Sequence, residues 1–160
     1  MIYSRQKAHM TEGLPTSTWK EINATWDGAE AYLVENKAGA TILTGRSTED
    51  RLVVGPMELL LAGLAGCAAI DIIDILRKKR QLPLDLKVKV RGKQRINVYP
   101  KVYTAFEIEY LLWGEDLQPT DVEHAIRLSE EKYCSVGGTL SQAGPVTSSY
   151  RILKPGEEIK

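Results

Sequence analysis

The segment GPMELLLAGLAGCAAIDIIDIL, from Gly55 to Leu76, constrains the fold of this chain more than any other. Proline is favoured in the first turn of a helix, where no backbone donor is lost, and Pro83 is the next proline along the chain. The pattern therefore predicts one helix of about 24 residues, roughly 36 Å long, that begins at Pro56. Because this helix is apolar on nearly every side, we expect it to be covered on several sides and to form the axis of the molecule.

The same run is long enough to raise the question of a membrane span. Glu58, Asp71 and Asp74 interrupt it, and a carboxylate costs about 2.5 kcal/mol or more at the centre of a bilayer. The sequence therefore favours a buried helix of a soluble protein.

Residues 1–16 contain no apolar run of signal-peptide length. We expect them to be a flexible or partner-docked lead-in to a single domain over residues 17–160. Two cysteines without a secretion signal indicate a reducing compartment, so the expected location is the cytoplasm. The two cysteines are then either inert core thiols or a working redox pair.

The charge balance narrows the class of partner. The 160 residues include 21 basic and 21 acidic side chains, which gives a formal net charge of zero. Binding to nucleic acid or to an anionic membrane needs a concentrated positive surface. We therefore expect a partner that is neither nucleic acid nor membrane.

Alternating apolar and polar residues predict six strands around the helix. The predicted strands are residues 17–26, 29–36 and 40–45 before the helix, 85–98 and 101–113 after it, and 145–153 at the end. Asp27 and Gly28 are expected to supply two positive-φ positions of a tight hairpin turn. A capping box at Thr120 and Glu123 predicts a second helix that continues to Cys134. The order βββ-α-ββ-α-β indicates an α+β fold.

Cys67 is the first candidate for chemistry, although a cysteine in the small-residue run AGLAGCAAI can also serve only to fill space. Asp71 lies one helical turn further on and on the same face, and Asp74 continues that stripe. An ionised Asp71 would oppose thiolate formation at Cys67. If they are buried, the two carboxylates need donors, either a basic side chain of the long strand pair or a wet cavity, or they have a functional role.

Cys134 is the second candidate. It is expected at the C-terminal end of the second helix, where the helix dipole disfavours an anion. A resolving role therefore suits it better than that of the first nucleophile, and an inert apolar filler is the alternative. The two cysteines form no Cys-x-x-Cys motif, so neither a metal site nor thioredoxin-type chemistry has sequence support.

Glu58 precedes Cys67 by nine residues, which places it on the opposite side of the helix and roughly 13 Å away along the axis. At the least it stabilises the helix N-terminus, by about 0.3–1 kcal/mol. A chemical partnership with Cys67 would have to come from chain folding or from a second subunit. His9 and His124 are expected to face solvent, and no cofactor-binding fingerprint or Ser-His-Asp pattern is present.

Two segments resemble the OsmC/Ohr family. The helix segment is similar to that family's Pro-x-Glu-Leu-Leu helix with its cysteine, with Pro56, Glu58 and Cys67 in register. The segment EEKYCSVGGTL is similar to the family's second cysteine segment. The element order also fits, from about Trp19 to Leu153. The resemblance implies an intertwined homodimer with active sites at the subunit interface that reduces organic hydroperoxides.

The resemblance also implies residue roles. Cys67 is expected to be the peroxidatic thiol, Cys134 the resolving thiol, and Glu58 the carboxylate that orients an activating arginine. After attack on the peroxide, the two cysteines would form a disulfide that an external dithiol reduces.

Three features depart from the family pattern. The expected arginine is absent from NATWDGAEAYLVEN, which leaves Arg46 or Arg51 as substitutes, and Ser135 follows the second cysteine where the peroxidases tend to have proline. The third is the carboxylate of Asp71 beside Cys67. Two functions therefore stay open: a thiol peroxidase, or a dimeric binding protein for a small apolar or thiol-reactive ligand.

Overall fold

The computed structural model describes residues 18–159, which divide into an N-terminal unit, residues 18–53, and a C-terminal unit, residues 54–159. The predicted lead-in over residues 1–16, including His9, lies outside the described residues. One folding domain over residues 17–160 stays a prediction.

The N-terminal unit is an antiparallel sheet in the order β1-β2-β3, with β1 at Ile22–Trp26, β2 at Ala31–Asn36 and β3 at Thr41–Gly45. The three strands lie within the predicted segments, although β1 begins only at Ile22 and all five of its residues are exposed. The first turn differs from the prediction, because Gly28 has a positive φ of 89° and Asp27 does not. Asp27 instead accepts a hydrogen bond from the Ala29 N–H at 2.9 Å, which makes a wider turn held by a side chain.

The C-terminal unit contains three helices and three strands. They are α1 at Pro56–Lys78, β4 at Asp85–Gln94, β5 at Tyr103–Trp113, α2 at Pro119–Leu128, α3 at Ser135–Leu140 and β6 at Val146–Leu153. In the sheet, β4 pairs antiparallel with β5 and β5 pairs parallel with β6. The α+β class and the predicted strand order are confirmed.

Helix α1 begins at Pro56, as predicted, and packs one face into the core. Leu64, Ala68, Ile72 and Leu76 recur at helical spacing and are at most 1% exposed. By length and composition alone α1 could cross a membrane, and only 28% of its most apolar 18-residue window is buried. Core helices of soluble proteins pass the same test. Within one chain α1 is therefore covered on one side, not on several.

The second helix differs most from its prediction. It begins at Pro119, so Thr120 is not its cap, and Glu123 accepts a hydrogen bond from the Tyr150 hydroxyl at 2.7 Å. The α-helix ends at Leu128 and is followed by a π turn, Ser129–Tyr133. The break lets the chain turn before α3, and it decides where Cys134 lies.

Candidate active site

Cys67 lies in the middle of α1, half-buried, and Asp71 lies one turn further along the same face, also half-buried. Regular helical spacing brings the two side chains together, as predicted. Both side chains stay partly accessible to solvent in the single chain.

Cys134 lies between the π turn and α3, with φ −71° and ψ 88°, and is 7% exposed. Its Sγ accepts a hydrogen bond from the Gly137 N–H at 3.3 Å, in the first turn of α3. The predicted position at the C-terminal end of a helix is therefore wrong, because Cys134 caps the start of a helix. At this position the helix dipole does not disfavour an anion.

Cys67, Asp71 and Cys134 form one cluster. A sulfur atom from each cysteine and a carboxylate oxygen of Asp71 all lie within 4.8 Å of one another. The proximity of Cys67 and Asp71 follows from their spacing on one helix. The position of Cys134 depends instead on the π turn that follows α2. We call these three side chains the thiol cluster.

Ser129 holds Asp71 in the thiol cluster. The Ser129 hydroxyl is fully buried and donates to Asp71 Oδ2 at 2.9 Å. Asp71 thus has a neutral donor, and none of the ion pairs found among residues 18–159 includes it. Asp74 differs, since it is exposed and pairs with Arg77 at 2.8 Å on the same helix. Of the explanations left open by the sequence, a basic partner from the long strand pair applies to neither carboxylate.

Tyr110 of β5 is a buried polar residue of the same core as Cys134, and the sequence did not single it out. It is 0% exposed, and its hydroxyl has no hydrogen-bond partner among the described residues. Burial raises the pKa of Tyr110, and Glu130, Cys134 and Asp71, in their ionised forms, raise it further. The hydroxyl therefore lies in the electrostatic field of the thiol cluster. The sequence contained a clue to this position. Phe106, Ile108 and Tyr110 alternate along β5 and therefore face the same side of the sheet, so the Tyr110 hydroxyl is carried into the core.

The pKa of Cys134 is raised mainly by burial, and Cys67 and Asp71 add to the rise. The Gly137 N–H acts in the opposite direction because it stabilises the thiolate. Cys134 is thus a neutral thiol at physiological pH in this arrangement.

Glu58 lies apart from the thiol cluster. Its Oε2 accepts a hydrogen bond from the Gly55 N–H at 2.8 Å, so the side chain caps α1. Arg46 pairs with Glu30 at 3.4 Å, and Arg51 pairs with Asp27, all within the N-terminal unit. His124 is half-buried on α2, not solvent-facing as expected.

The comparisons with known proteins agree with the fold. A family model described as OsmC-like protein matches residues 49–149. Protein YhfA from Escherichia coli strain K12 is 35% identical over 133 residues, which cover 83% of this chain and 98% of that protein.

Solved structures with the same fold include a hypothetical protein from Aquifex aeolicus VF5, with a TM-score of 0.76 and 31% identity over 87% of this chain and 99% of that one. An organic hydroperoxide resistance protein OsmC from Legionella pneumophila has a TM-score of 0.61 and 14% identity, and the match covers 86% of this chain and 98% of that one. At this identity the likeness shows the fold alone. With the family model covering more than half of its length and YhfA matched from end to end, this chain belongs to the family of OsmC-like proteins, as its two cysteine segments suggested.

Proposed function

We propose that this OsmC-like protein is a thiol-dependent peroxidase that reduces organic hydroperoxides in oxidative-stress defence. The observation that supports it is the approach of the Cys67 and Cys134 sulfur atoms to within 4.8 Å of each other from different helical segments. An inert pair of core thiols needs no such proximity. The name of the Legionella relative supplies the substrate class.

The proposed reaction has three balanced steps. The Cys67 thiolate attacks the outer peroxide oxygen, the O–O bond breaks, and the alcohol leaves with one proton while Cys67 becomes a sulfenic acid. The Cys134 thiol then displaces the sulfenic oxygen as water, and a disulfide forms. An external dithiol reduces this disulfide and becomes a disulfide itself. The sum is one hydroperoxide and one dithiol converted to alcohol, water and oxidised dithiol.

The two cysteines are suited to different steps by their accessibility. Cys67 is half-buried and can meet a substrate, whereas Cys134 is buried and meets Cys67. Hence Cys67 is assigned as the peroxidatic thiol and Cys134 as the resolving thiol. No metal or organic cofactor is part of this reaction.

The proposed enzyme is a cytoplasmic homodimer. Large apolar side chains on α1 and on the N-terminal sheet are exposed in the single chain, which a second copy would bury. Examples are Leu60 at 43% exposed, Ile70 at 64%, Ile22 at 63% and Trp26 at 62%. In such a dimer Glu58 would orient Arg46 or Arg51 towards Cys67, a role that its own helix does not give it.

A dimeric binding protein is the second candidate, and Asp71 is the observation that favours it. Its negative charge beside Cys67 disfavours the thiolate that attack on a peroxide requires. The ligand would then be a small apolar or thiol-reactive molecule.

The deciding experiment measures consumption of cumene hydroperoxide and of hydrogen peroxide by the purified protein with a dithiol. We expect faster turnover of the organic peroxide, its loss in Cys67→Ser and Cys134→Ser, and wild-type turnover in Asp74→Asn. Mass spectrometry after thiol blocking should detect a Cys67–Cys134 disulfide. If both thiols remain alkylatable after treatment with peroxide, the peroxidase assignment is wrong.

A further inference from the structure

We propose that the reduced chain binds one Zn²⁺ ion through the thiol cluster, with Cys67, Asp71 and Cys134 as ligands and the fourth position open. Two thiolates and a carboxylate form a donor set that suits zinc, and three protein ligands with one open position are typical of accessible zinc sites. The proposal goes beyond the peroxidase assignment and does not depend on turnover.

The spacing of the donors fits a single ion. Zn–S distances near 2.3 Å and Zn–O distances near 2.0–2.2 Å place tetrahedral ligand atoms about 3.5–3.8 Å apart. The three donor atoms already lie within 4.8 Å of one another. Binding then requires each side chain to close by about an ångström or less, which side-chain rotation can supply.

The donor set suits a divalent cation, which displaces the thiol protons as it binds. Two thiolates and the Asp71 carboxylate carry three negative charges when ionised, and no ion pair within residues 18–159 brings a basic side chain to Asp71. A divalent ion neutralises two of these charges.

Neighbouring groups already orient the ligands as outer hydrogen bonds do in metal sites. Ser129 donates to one oxygen of Asp71 at 2.9 Å and leaves the other available. The Gly137 N–H donates to the sulfur of Cys134 at 3.3 Å.

Metal binding and disulfide formation use the same two sulfur atoms, so they exclude each other. A hydroperoxide that takes two electrons from the thiolates, together with two protons, yields alcohol, water and the disulfide. The ion is then released. The thiol cluster would therefore hold zinc only in the reduced state.

The experiment titrates the reduced, full-length protein with Co²⁺ and then displaces it with Zn²⁺. We expect one equivalent per chain, with thiolate charge-transfer and tetrahedral ligand-field bands that zinc removes. Ser129→Ala should weaken binding by about 10–100-fold, and Cys67→Ser, Cys134→Ser and Asp71→Asn by more. Asp74→Asn, a carboxylate on the same helix, is the matched control and should bind like the wild type.

Two results would overturn the proposal. One is a cobalt spectrum without thiolate bands; the other is equal weakening by Asp71→Asn and Asp74→Asn, which would indicate adventitious binding. If a cysteine variant fails to fold, the wild-type protein oxidised with diamide provides the test. That protein must lose cobalt binding and regain it on reduction, and retention of cobalt by the disulfide form contradicts the proposed site.

Discussion

The two units of this chain contain similar alternating strands but bury them to very different extents. In the C-terminal unit, fifteen buried side chains form one continuous core. In the N-terminal unit only Ala31, Val34 and Thr44 are buried, while Trp26 and Leu33 stay 62% and 44% exposed. A three-stranded sheet needs a covered apolar face for stability. The difference indicates that strand patterning alone does not supply a hydrophobic core. The proposed homodimer would give the N-terminal sheet the apolar cover that it lacks.

The largest expected effect is in the C-terminal core. Leu64 is 0% exposed and lies on the buried face of α1. Leu64→Ala should lower the free energy of unfolding by about 2–5 kcal/mol, since it leaves a cavity. Urea denaturation provides the measurement. Leu84→Ala, at a residue 72% exposed, is the control and should stay within about 0.5 kcal/mol of the wild type.

The next prediction tests the cover over the N-terminal sheet. Leu33 is 44% exposed in the single chain, and burial of that fraction is worth about 1 kcal/mol. Leu33→Ala should therefore weaken the proposed dimer by about fivefold or more, as measured by sedimentation equilibrium over a range of concentrations. A stable wild-type monomer would contradict both this prediction and the proposed role of Glu58.

A smaller effect is expected at Gly66 on α1. A methyl group there meets nothing within 4 Å in the single chain, and alanine is favoured over glycine inside a helix by about 0.5–1 kcal/mol. Gly66→Ala should therefore stabilise the protein by that amount in thermal or urea unfolding. A loss of stability would show that another chain packs directly on Gly66. Gly92→Ala is the contrast, because its methyl group would lie 2.6 Å from the Tyr103 ring and should destabilise.

The smallest loss of stability is expected at Tyr110, whose side chain is buried in the core of the C-terminal unit. Its buried hydroxyl has no partner among the residues that the structure describes, so Tyr110→Phe breaks no hydrogen bond and should not destabilise the metal-free protein. Tyr103→Phe, on the same strand, removes a hydrogen bond to the Met57 carbonyl at 3.1 Å and should cost about 1 kcal/mol. Equal losses in the two variants would mean that the Tyr110 hydroxyl is already paired.

Local features of the sequence were sufficient to predict α1 and the strands. Pro56 and the apolar run specify where α1 begins, and alternation specifies β4 and β5. The juxtaposition of Cys67 and Asp71 follows from helical geometry. These features depend on residues that are near one another in the chain.

The remainder of the candidate site depends on contacts that are distant in sequence. The segment SEEKYC continues a helical pattern, yet the α-helix ends at Leu128, where the Ser129 side chain binds Asp71, 58 residues away. Cys134 is placed by this break, and a capping residue cannot be told from a terminal one by composition. The parallel pairing of β6 with β5 is likewise set by the path of the chain through α2 and α3.

The π turn connects the two cysteine sulfur atoms to a main-chain hydrogen bond, so a change in the bonding of the sulfurs can affect the backbone. The Cys134 N–H donates to the Ser129 carbonyl at 2.8 Å, so the residue that holds Asp71 and the residue that carries the second sulfur share one main-chain hydrogen bond. Formation of a disulfide draws the sulfurs from up to 4.8 Å apart to about 2.05 Å, and this displacement acts on that bond. We therefore expect formation of the proposed disulfide to change the rate at which the amide proton of Cys134 exchanges with solvent.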